Sequence, residues 1–273
     1  MSADHTYSLK VPGATLHYRV RGAGPILLVL QGGDGDAEGS ETLGELLCER
    51  WAVVTYDRRG LTRSTLDPGA PPPDLATHAD DAHRVLAAVT PSPADVLGIS
   101  IGASIGLELL ARHPEQVRRF VCHEAPVTQL LPDAERGPAL RAQEEIEQLY
   151  REKGPGAAMR KFMATAGVNL EEFEPGLKLP APNPNRLKNI EFFLAHDAPA
   201  ARVYRPDVAA LQAQASKLVL AGGAKSKQAI PYRCTLALSQ ALGLPIEEFP
   251  GAHNGHVFQP KAFAAKLAEV IAG

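Results

Sequence analysis

The chain of 273 residues is 45% hydrophobic and carries a formal net charge of −3, with a calculated isoelectric point near 6.3. This length suits one α/β domain with an insertion, and the lack of a Lys- or Arg-rich run argues against a nucleic-acid or membrane partner. Its 3 cysteines lack ligand-like spacing and no signal peptide or membrane-length apolar window is evident, which predicts a cytoplasmic protein with small-molecule partners, without disulfides and without a zinc site.

The N-terminal part of the chain predicts a β-hairpin and two strands that are buried on both faces. Two alternating segments meet at Pro12-Gly13, a typical turn sequence. The elements in chain order are hairpin strands over 7–11 and 15–20, a strand over 26–30, a helix over 37–50 and a strand over 51–56. The glycine-rich loop Gln31–Gly35 could present backbone N–H groups to an oxyanion, or could form an ordinary turn.

An acidic residue follows the second buried strand in the run Asp57-Arg58-Arg59-Gly60. Asp57 could be a catalytic carboxylate, but an aspartate beside two arginines at a strand end more often forms a structural ion pair, which we predict here. A polar loop over 61–73 leads to a helix that Asp74 can cap and whose apolar positions have helical spacing. We expect His78 and His83, both on this helix, at the surface or at an interface.

A serine between glycines ends the next predicted strand. The strand Ala94–Ile99 breaks at Ser100 within Gly98-Ile99-Ser100-Ile101-Gly102, and a helical pattern then runs to Arg112. This is the G-x-S-x-G pattern of a nucleophile elbow, in which a tight, strained turn projects the serine hydroxyl above the sheet. The alternative is a glycine-rich loop without chemistry, and the pentapeptide alone does not distinguish the two.

The rest of the chain continues this alternation around one helical segment. A strand over 117–122 completes a βαβαβ order, which predicts a parallel sheet with right-handed crossovers. Helical stretches follow over 139–152, 156–166 and 187–195, with linkers such as 174–184, and then a strand over 217–221, a helix over 228–242, a strand over 246–249 and a helix over 260–271. We predict a core of residues 1–126 and 204–273 with a helical cap, residues 127–203, over the sheet edge where such folds bind ligands.

A serine hydroxyl is a weak nucleophile, so the predicted elbow needs a base. His253, in Pro250-Gly251-Ala252-His253, follows the last predicted strand and would lie at the same sheet edge as Ser100. His256 is the alternative, but it lies one turn further on, where capping a helix or facing the substrate fits better. We therefore predict His253 as the base, and we name His256 and Asp34 as candidates for contacting the substrate.

The base in turn needs a carboxylate to hold its tautomer. The residues after the predicted strand 217–221 include no Asp or Glu before Gln228. The preceding strand, in contrast, ends at Cys122-His123-Glu124, so we predict Glu124 as the acid; the alternative is a solvated loop carboxylate. These three residues do not suggest a metal site, because consecutive strand residues point to alternate faces.

The order of these motifs resembles the α/β-hydrolase superfamily over nearly the whole chain. The segment His113–Pro126 is similar to the corresponding region of the zearalenone lactonases, whose acid is a glutamate at the place of Glu124 and whose histidine also follows a Pro-Gly pair. The resemblance implies an oxyanion hole formed by the backbone N–H groups of Gly33 and Ile101. It does not extend to the macrolactone substrate, because the cap is only weakly similar and those enzymes have an aromatic residue where His256 stands.

Together these features predict a serine hydrolase that cleaves a carboxylic ester or lactone. We expect the substrate to be apolar and the reaction to need no cofactor. A cofactor-free perhydrolase or haloperoxidase, a lyase or dioxygenase of the same fold, and a ligand receptor with slow turnover are the alternatives. Epoxide hydrolysis and dehalogenation are disfavoured, because both require an aspartate at the position of Ser100. Both a monomer and a homodimer are compatible with the sequence.

Overall fold

The computed structural model describes residues 4–168, 173–177 and 183–272. The strands are β1 Asp4–Val11, β2 Ala14–Arg21, β3 Ile26–Leu30, β4 Ala52–Tyr56, β5 Thr65–Leu66, β6 Ala94–Ile99, β7 Val117–His123, β8 Leu218–Gly223 and β9 Ile246–Phe249. They form one sheet in the order β1-β2-β4-β3-β6-β7-β8-β9, with β5 paired to β2. The pairs from β4 to β9 along this order are parallel, and β2 is antiparallel to its neighbours.

Helices cover both faces of this sheet. They are α1 Glu41–Leu47, α2 Leu75–Val89, α3 Ile101–Arg112, α4 Asp133–Lys153, α5 Pro155–Ala166, α6 Arg186–Phe192, α7 Ala198–Val203, α8 Val208–Ala213, α9 Ile230–Leu242, α10 Gly255–Phe258 and α11 Pro260–Ala272. A π-helical segment, Phe193–Asp197, joins α6 to α7, and 3-10 turns cover Pro114–Gln116, Thr128–Leu130 and Ala215–Lys217. Within the described ranges no helix is long and apolar enough to cross a membrane.

Alternate residues of the central strands enter two separate cores. In β3, Leu28 and Leu30 pack with α2, α3 and α9, whereas Leu27 and Val29 pack with α1 and α11. A parallel strand buried on both faces needs apolar side chains at every position, which explains why these strands read as unbroken apolar runs. The predicted α/β architecture, a mostly parallel sheet with helices on both faces, is confirmed.

Several predicted boundaries differ from the observed ones. The helix predicted over 37–50 is limited to Glu41–Leu47, because the N–H of Ala37 donates to Asp57 Oδ1 at 2.8 Å and that of Glu38 to Asp36 Oδ1 at 3.0 Å. The helix predicted over 139–152 begins earlier, at Asp133, and that over 187–195 ends in the π-helical segment. Helices α7, α8 and α10 were not predicted, and residues 178–182 of the predicted linker 174–184 lie outside the described ranges.

Candidate active site

Ser100 occupies a tight turn between β6 and α3. Its φ of +55° lies in a region that residues other than glycine rarely adopt. The two flanking glycines are required, because a Cβ at Gly98 would lie 2.6 Å from the Cα of Ala103 and one at Gly102 would lie 2.1 Å from the carbonyl oxygen of Leu30. The N–H of Ser100 donates to the carbonyl of His123 at 2.9 Å. The backbone therefore has the strained geometry that the nucleophile-elbow pattern predicts.

Glu124 directly follows β7 and is fully buried, which contradicts the alternative of a solvated loop carboxylate. Its Oε1 accepts a hydrogen bond from the N–H of Gly223 at 2.7 Å and another from Ser226 Oγ. Its Oε2 lies 2.5 Å from Nδ1 of His253. Burial by itself would raise the pKa of Glu124, but His253, His123 and Ser226 together lower it to about 2. Glu124 is therefore a buried carboxylate in direct contact with the ring of His253.

His253 lies in the loop between β9 and α10 and is 6% exposed. This loop packs closely on the end of β8, where a Cβ at Gly223 would lie 2.8 Å from the backbone of Ala252. Gly223 thus supplies space for the histidine loop and an N–H for Glu124. The end of β8 has no room for a carboxylate side chain at Gly223, and the carboxylate that contacts His253 comes from the end of β7 instead.

Arg58 organises the glycine-rich loop after β3, a role that the sequence did not predict. Its guanidinium donates to the carbonyls of Gln31 at 2.9 Å and of Gly32 at 3.1 Å, and also to that of Gly33. Arg58 is 2% exposed and also pairs with Asp197 at 3.1 Å. With three successive carbonyls engaged on one side, the loop is held in one conformation. The only sequence signal was the position of Arg58 two residues after the end of a buried strand.

Asp197 connects this loop to the π-helical segment Phe193–Asp197. Its Oδ1 lies 3.1 Å from Nε2 of His78, and both side chains are fully buried. Burial would raise the pKa of Asp197, but His78 and Arg58 hold it below its usual range. His78 is therefore buried at an interface between α2 and the π-helical segment, which agrees with the second of its two predicted positions. π-helical turns are frequent at functional sites.

The other acidic candidates are engaged elsewhere. Asp57 is buried and forms an ion pair, as predicted, but its partner is the partly exposed Arg63 at 2.8 Å and not an adjacent arginine. Arg59 pairs instead with Asp81 at 2.7 Å. Asp34 pairs with Arg186 of α6 at 2.9 Å. Consecutive side chains leave the end of β4 in different directions, so sequence adjacency does not identify the ion-pair partner.

His123 and His256 both pack against the ring of Phe263. The ring of His123 lies 5.8 Å from that of Phe249 and 5.4 Å from that of Phe263. Neither nitrogen of His123, nor Nδ1 of His256, has a hydrogen-bond partner among the described residues. Burial lowers the pKa of His123 to about 4 and that of His256 to about 3. His256 thus packs against Phe263, at 6.0 Å; its predicted contact with a substrate stays a prediction.

The buried neutral His123 predicts acid lability. Below its ordinary pKa of 6.5 the unfolded chain binds a proton that the folded chain does not bind until about pH 4. The free energy of unfolding should therefore fall over this range, by about 3 kcal/mol for this one group. His123→Phe should remove that part of the loss, as measured by urea unfolding at pH 7 and pH 4. The exposed substitution His5→Phe is the control, and an equal loss in wild type and His123→Phe would contradict the prediction.

A largely apolar cavity lies above the elbow. Ser100 and Ile101 form part of its wall, and the remaining wall comes mainly from α4, α5, the π-helical segment and α7. It encloses about 680 Å³ of space between protein atoms, part of it open to solvent. Phe193 of this wall also faces Gly33, where a Cβ would lie 3.3 Å from the ring. Among the described residues no cluster of three or more His, Cys, Asp or Glu side chains could hold a metal ion.

Comparison with known proteins agrees with this architecture. A family model described as the alpha/beta hydrolase fold matches residues 25–172. The chain is 37% identical over 268 residues to the uncharacterized hydrolase YraK of Bacillus subtilis, covering 97% of this chain and 95% of YraK. Among solved structures, an esterase from Exiguobacterium antarcticum superposes with a TM-score of 0.74 at 18% identity, over 96% of this chain and 97% of that one. A hydrolase from Pseudomonas aeruginosa gives a TM-score of 0.68 at 21% identity, over 98% of both chains.

Proposed function

The chain belongs to the alpha/beta hydrolase fold family and is a hydrolase, and on this premise we propose that it cleaves a carboxylic ester or lactone through an acyl-enzyme. Two observations carry the proposal: the buried contact of 2.5 Å between Glu124 and His253, and the serine on a strained elbow. A carboxylate, an imidazole and an elbow serine are the parts that acyl transfer requires.

In the proposed mechanism, Ser100 Oγ attacks the substrate carbonyl while His253 accepts its proton. Glu124 holds the Nδ1 proton of His253, so Nε2 is the atom that is free to act as base. The backbone N–H groups of Gly33 and Ile101 would stabilise the oxyanion, the second of them at the N-terminus of α3. His253 then returns the proton to the leaving alcohol, and water releases the acyl group by the same steps. A lactone would leave as one hydroxy acid.

The proposal is tested by incubating the protein with p-nitrophenyl esters of increasing acyl length, simple lactones and resorcylic macrolactones. The macrolactones are included because of the resemblance around Glu124. We expect ester or lactone hydrolysis together with acylation of Ser100, detected by mass spectrometry of the quenched enzyme. Turnover with peroxide and a carboxylic acid that exceeds every hydrolytic rate would favour a perhydrolase instead. Tight binding of these compounds without turnover would favour a receptor.

Arg58 is expected to act as a positioning residue for the proposed oxyanion hole. Arg58→Lys keeps the positive charge beside Asp197. The compact ammonium group of lysine, however, cannot donate to three successive carbonyls as the planar guanidinium does. We expect kcat to fall by about 100-fold, the loss typical of one oxyanion donor, with little change in KM. Steady-state kinetics and the affinity for an alkyl boronic acid, which mimics the tetrahedral intermediate, measure the effect.

The same substitution at the neighbouring arginine provides the control. Arg59 pairs with Asp81 and the carbonyl of Pro12, away from the glycine-rich loop. Arg59→Lys should therefore leave kcat and boronic acid affinity within about twofold of wild type, because distant substitutions without shared contacts act independently of the reacting atoms. Equal losses in both variants would show that Arg58 has only a structural role.

A further inference from the structure

The cavity above Ser100 contains few polar side chains besides the serine itself. They are Gln143 and Glu147 of α4 and Thr165 of α5. Two of the three have partners within the protein. The Oε1 of Glu147 accepts from Nε of Arg202 at 2.7 Å, and Thr165 Oγ1 donates to the carbonyl of Lys161 at 2.9 Å.

Gln143 is different, because only one end of its amide is used. Nε2 donates to Thr128 Oγ1 at 3.0 Å. Oε1 is enclosed and has no hydrogen-bond partner among the described residues. Leaving a buried acceptor unpaired is unfavourable, so such atoms in native proteins usually meet a water or a ligand. Because Gln143 lines the cavity, a molecule bound in the cavity can supply this partner.

The orientation of the amide follows from its neighbours. Thr128 Oγ1 lies 3.4 Å from the carbonyl of Pro126, to which its hydroxyl donates, and 4.0 Å from Sγ of Cys234, whose thiol donates to it. The Thr128 oxygen is therefore available to accept, and the NH₂ end of Gln143 is the end that can donate to it. This leaves the carbonyl oxygen of Gln143 as the free group.

We propose that Gln143 Oε1 accepts a hydrogen bond from the substrate, so that the enzyme selects an apolar ester or lactone carrying a hydroxyl or N–H group away from the scissile bond. The largely apolar wall favours the hydrocarbon part of such a molecule. The inference rests on the proposed esterase or lactonase function and specifies its substrate class.

Substrates with and without a hydrogen-bond donor differ in the free energy of binding to this cavity. A substrate without a donor would displace water from the cavity and leave Oε1 of Gln143 unpaired, whereas a substrate with a donor would pair it. Sites built to hydrogen-bond a substrate hydroxyl reject analogues that lack it far more strongly than apolar pockets reject an extra methylene. Selectivity for the donor should therefore depend on Gln143 and not on overall hydrophobicity.

The test compares pairs of p-nitrophenyl esters with six to ten acyl carbons, each with and without a terminal hydroxyl. For wild type we expect kcat/KM to favour the hydroxylated member by about tenfold or more at one or more chain lengths. In Gln143→Leu this preference should fall below about twofold, and KM for the plain esters should decrease because no acceptor is left unpaired. Gln143→Met, which is unbranched and close in size, answers the same question if the leucine variant does not fold.

Thr165→Val is the matched control, because it removes a wall hydroxyl that is already bonded to its own helix. It should keep the wild-type ratio between the paired esters. A ratio near one in wild type, or one that is unchanged in Gln143→Leu, would overturn the inference while leaving esterase activity established. Failure of wild type to hydrolyse any ester or lactone would instead overturn the proposed function, and this inference with it.

Discussion

Ser100→Ala is expected to lower kcat for ester hydrolysis by about a millionfold, the loss seen when a nucleophile that acts as a unit with its base is removed. The methyl group of alanine cannot form the acyl-enzyme, and the remaining parts of the site only bind and polarise the substrate. Alanine meets the same backbone constraint as serine at the φ of +55° observed at the elbow. The fold should therefore be retained, as checked by circular dichroism and thermal unfolding.

A serine one turn away serves as the control for this variant. Ser104 is fully buried in α3, and its hydroxyl has no partner among the described residues. Ser104→Ala should leave kcat within a few-fold of wild type, because it changes neither the elbow nor the cavity wall. A fluorophosphonate probe should label wild type and Ser104→Ala but not Ser100→Ala. An undiminished rate in Ser100→Ala would exclude the acyl-enzyme mechanism and favour base catalysis by His253 alone.

Glu124→Gln is expected to lower kcat by about 10⁴-fold, as in triads whose carboxylate is replaced by an amide. The substitution is nearly isosteric, but its NH₂ group can donate to Nδ1 of His253 and so favour the tautomer with the proton on the wrong nitrogen. Glu124 accepts hydrogen bonds at both of its oxygens, from Gly223 and Ser226 at one and from His253 at the other. Whichever way the glutamine amide is turned, its NH₂ group replaces one of these two acceptors. Single-turnover kinetics would separate the loss in chemistry from any loss in binding.

Ser226→Ala gives a graded comparison with Glu124→Gln. It removes one donor to Oε1 of Glu124 but retains the Gly223 N–H and the contact with His253. We expect a loss of about tenfold, because a hydrogen bond to a charged group contributes about 1.5 to 3 kcal/mol and the remaining contacts of Glu124 still orient His253. A near-wild-type Glu124→Gln together with an inactive Asp197→Asn would show that the acid has been assigned wrongly.

Asp197 and Asp207, the alternative acids between α6 and α8, are disfavoured by their contacts. Asp197 is enclosed between Arg58 and His78. Asp207 accepts from the N–H of Ala210 at 3.0 Å and caps α8. Each carboxylate already has a partner that explains its position. Glu124 is the acid in contact with His253.

The sequence by itself determined the α/β order, the buried strands and the elbow. These features depend on local rules: an unbroken apolar run indicates a strand buried on both faces, and Gly98 and Gly102 flank a turn too tight for a Cβ. The same rules place His253 after the last strand and Glu124 after β7, at one edge of a parallel sheet. Their catalytic roles remain predictions that the proposed variants test.

Only the tertiary structure decided which side chains meet across long separations. His253 and Glu124 are 129 residues apart, and Arg58 and Asp197 are 139 residues apart. The strand periodicity states which face is buried but not which distant partner covers it, so the pairing of Asp57 with Arg63 and the burial of His78 were not predictable. The elbow and its sheet follow from local pattern, whereas Arg58, Asp197 and the free acceptor of Gln143 depend on how the helices between β7 and β8 pack over that edge.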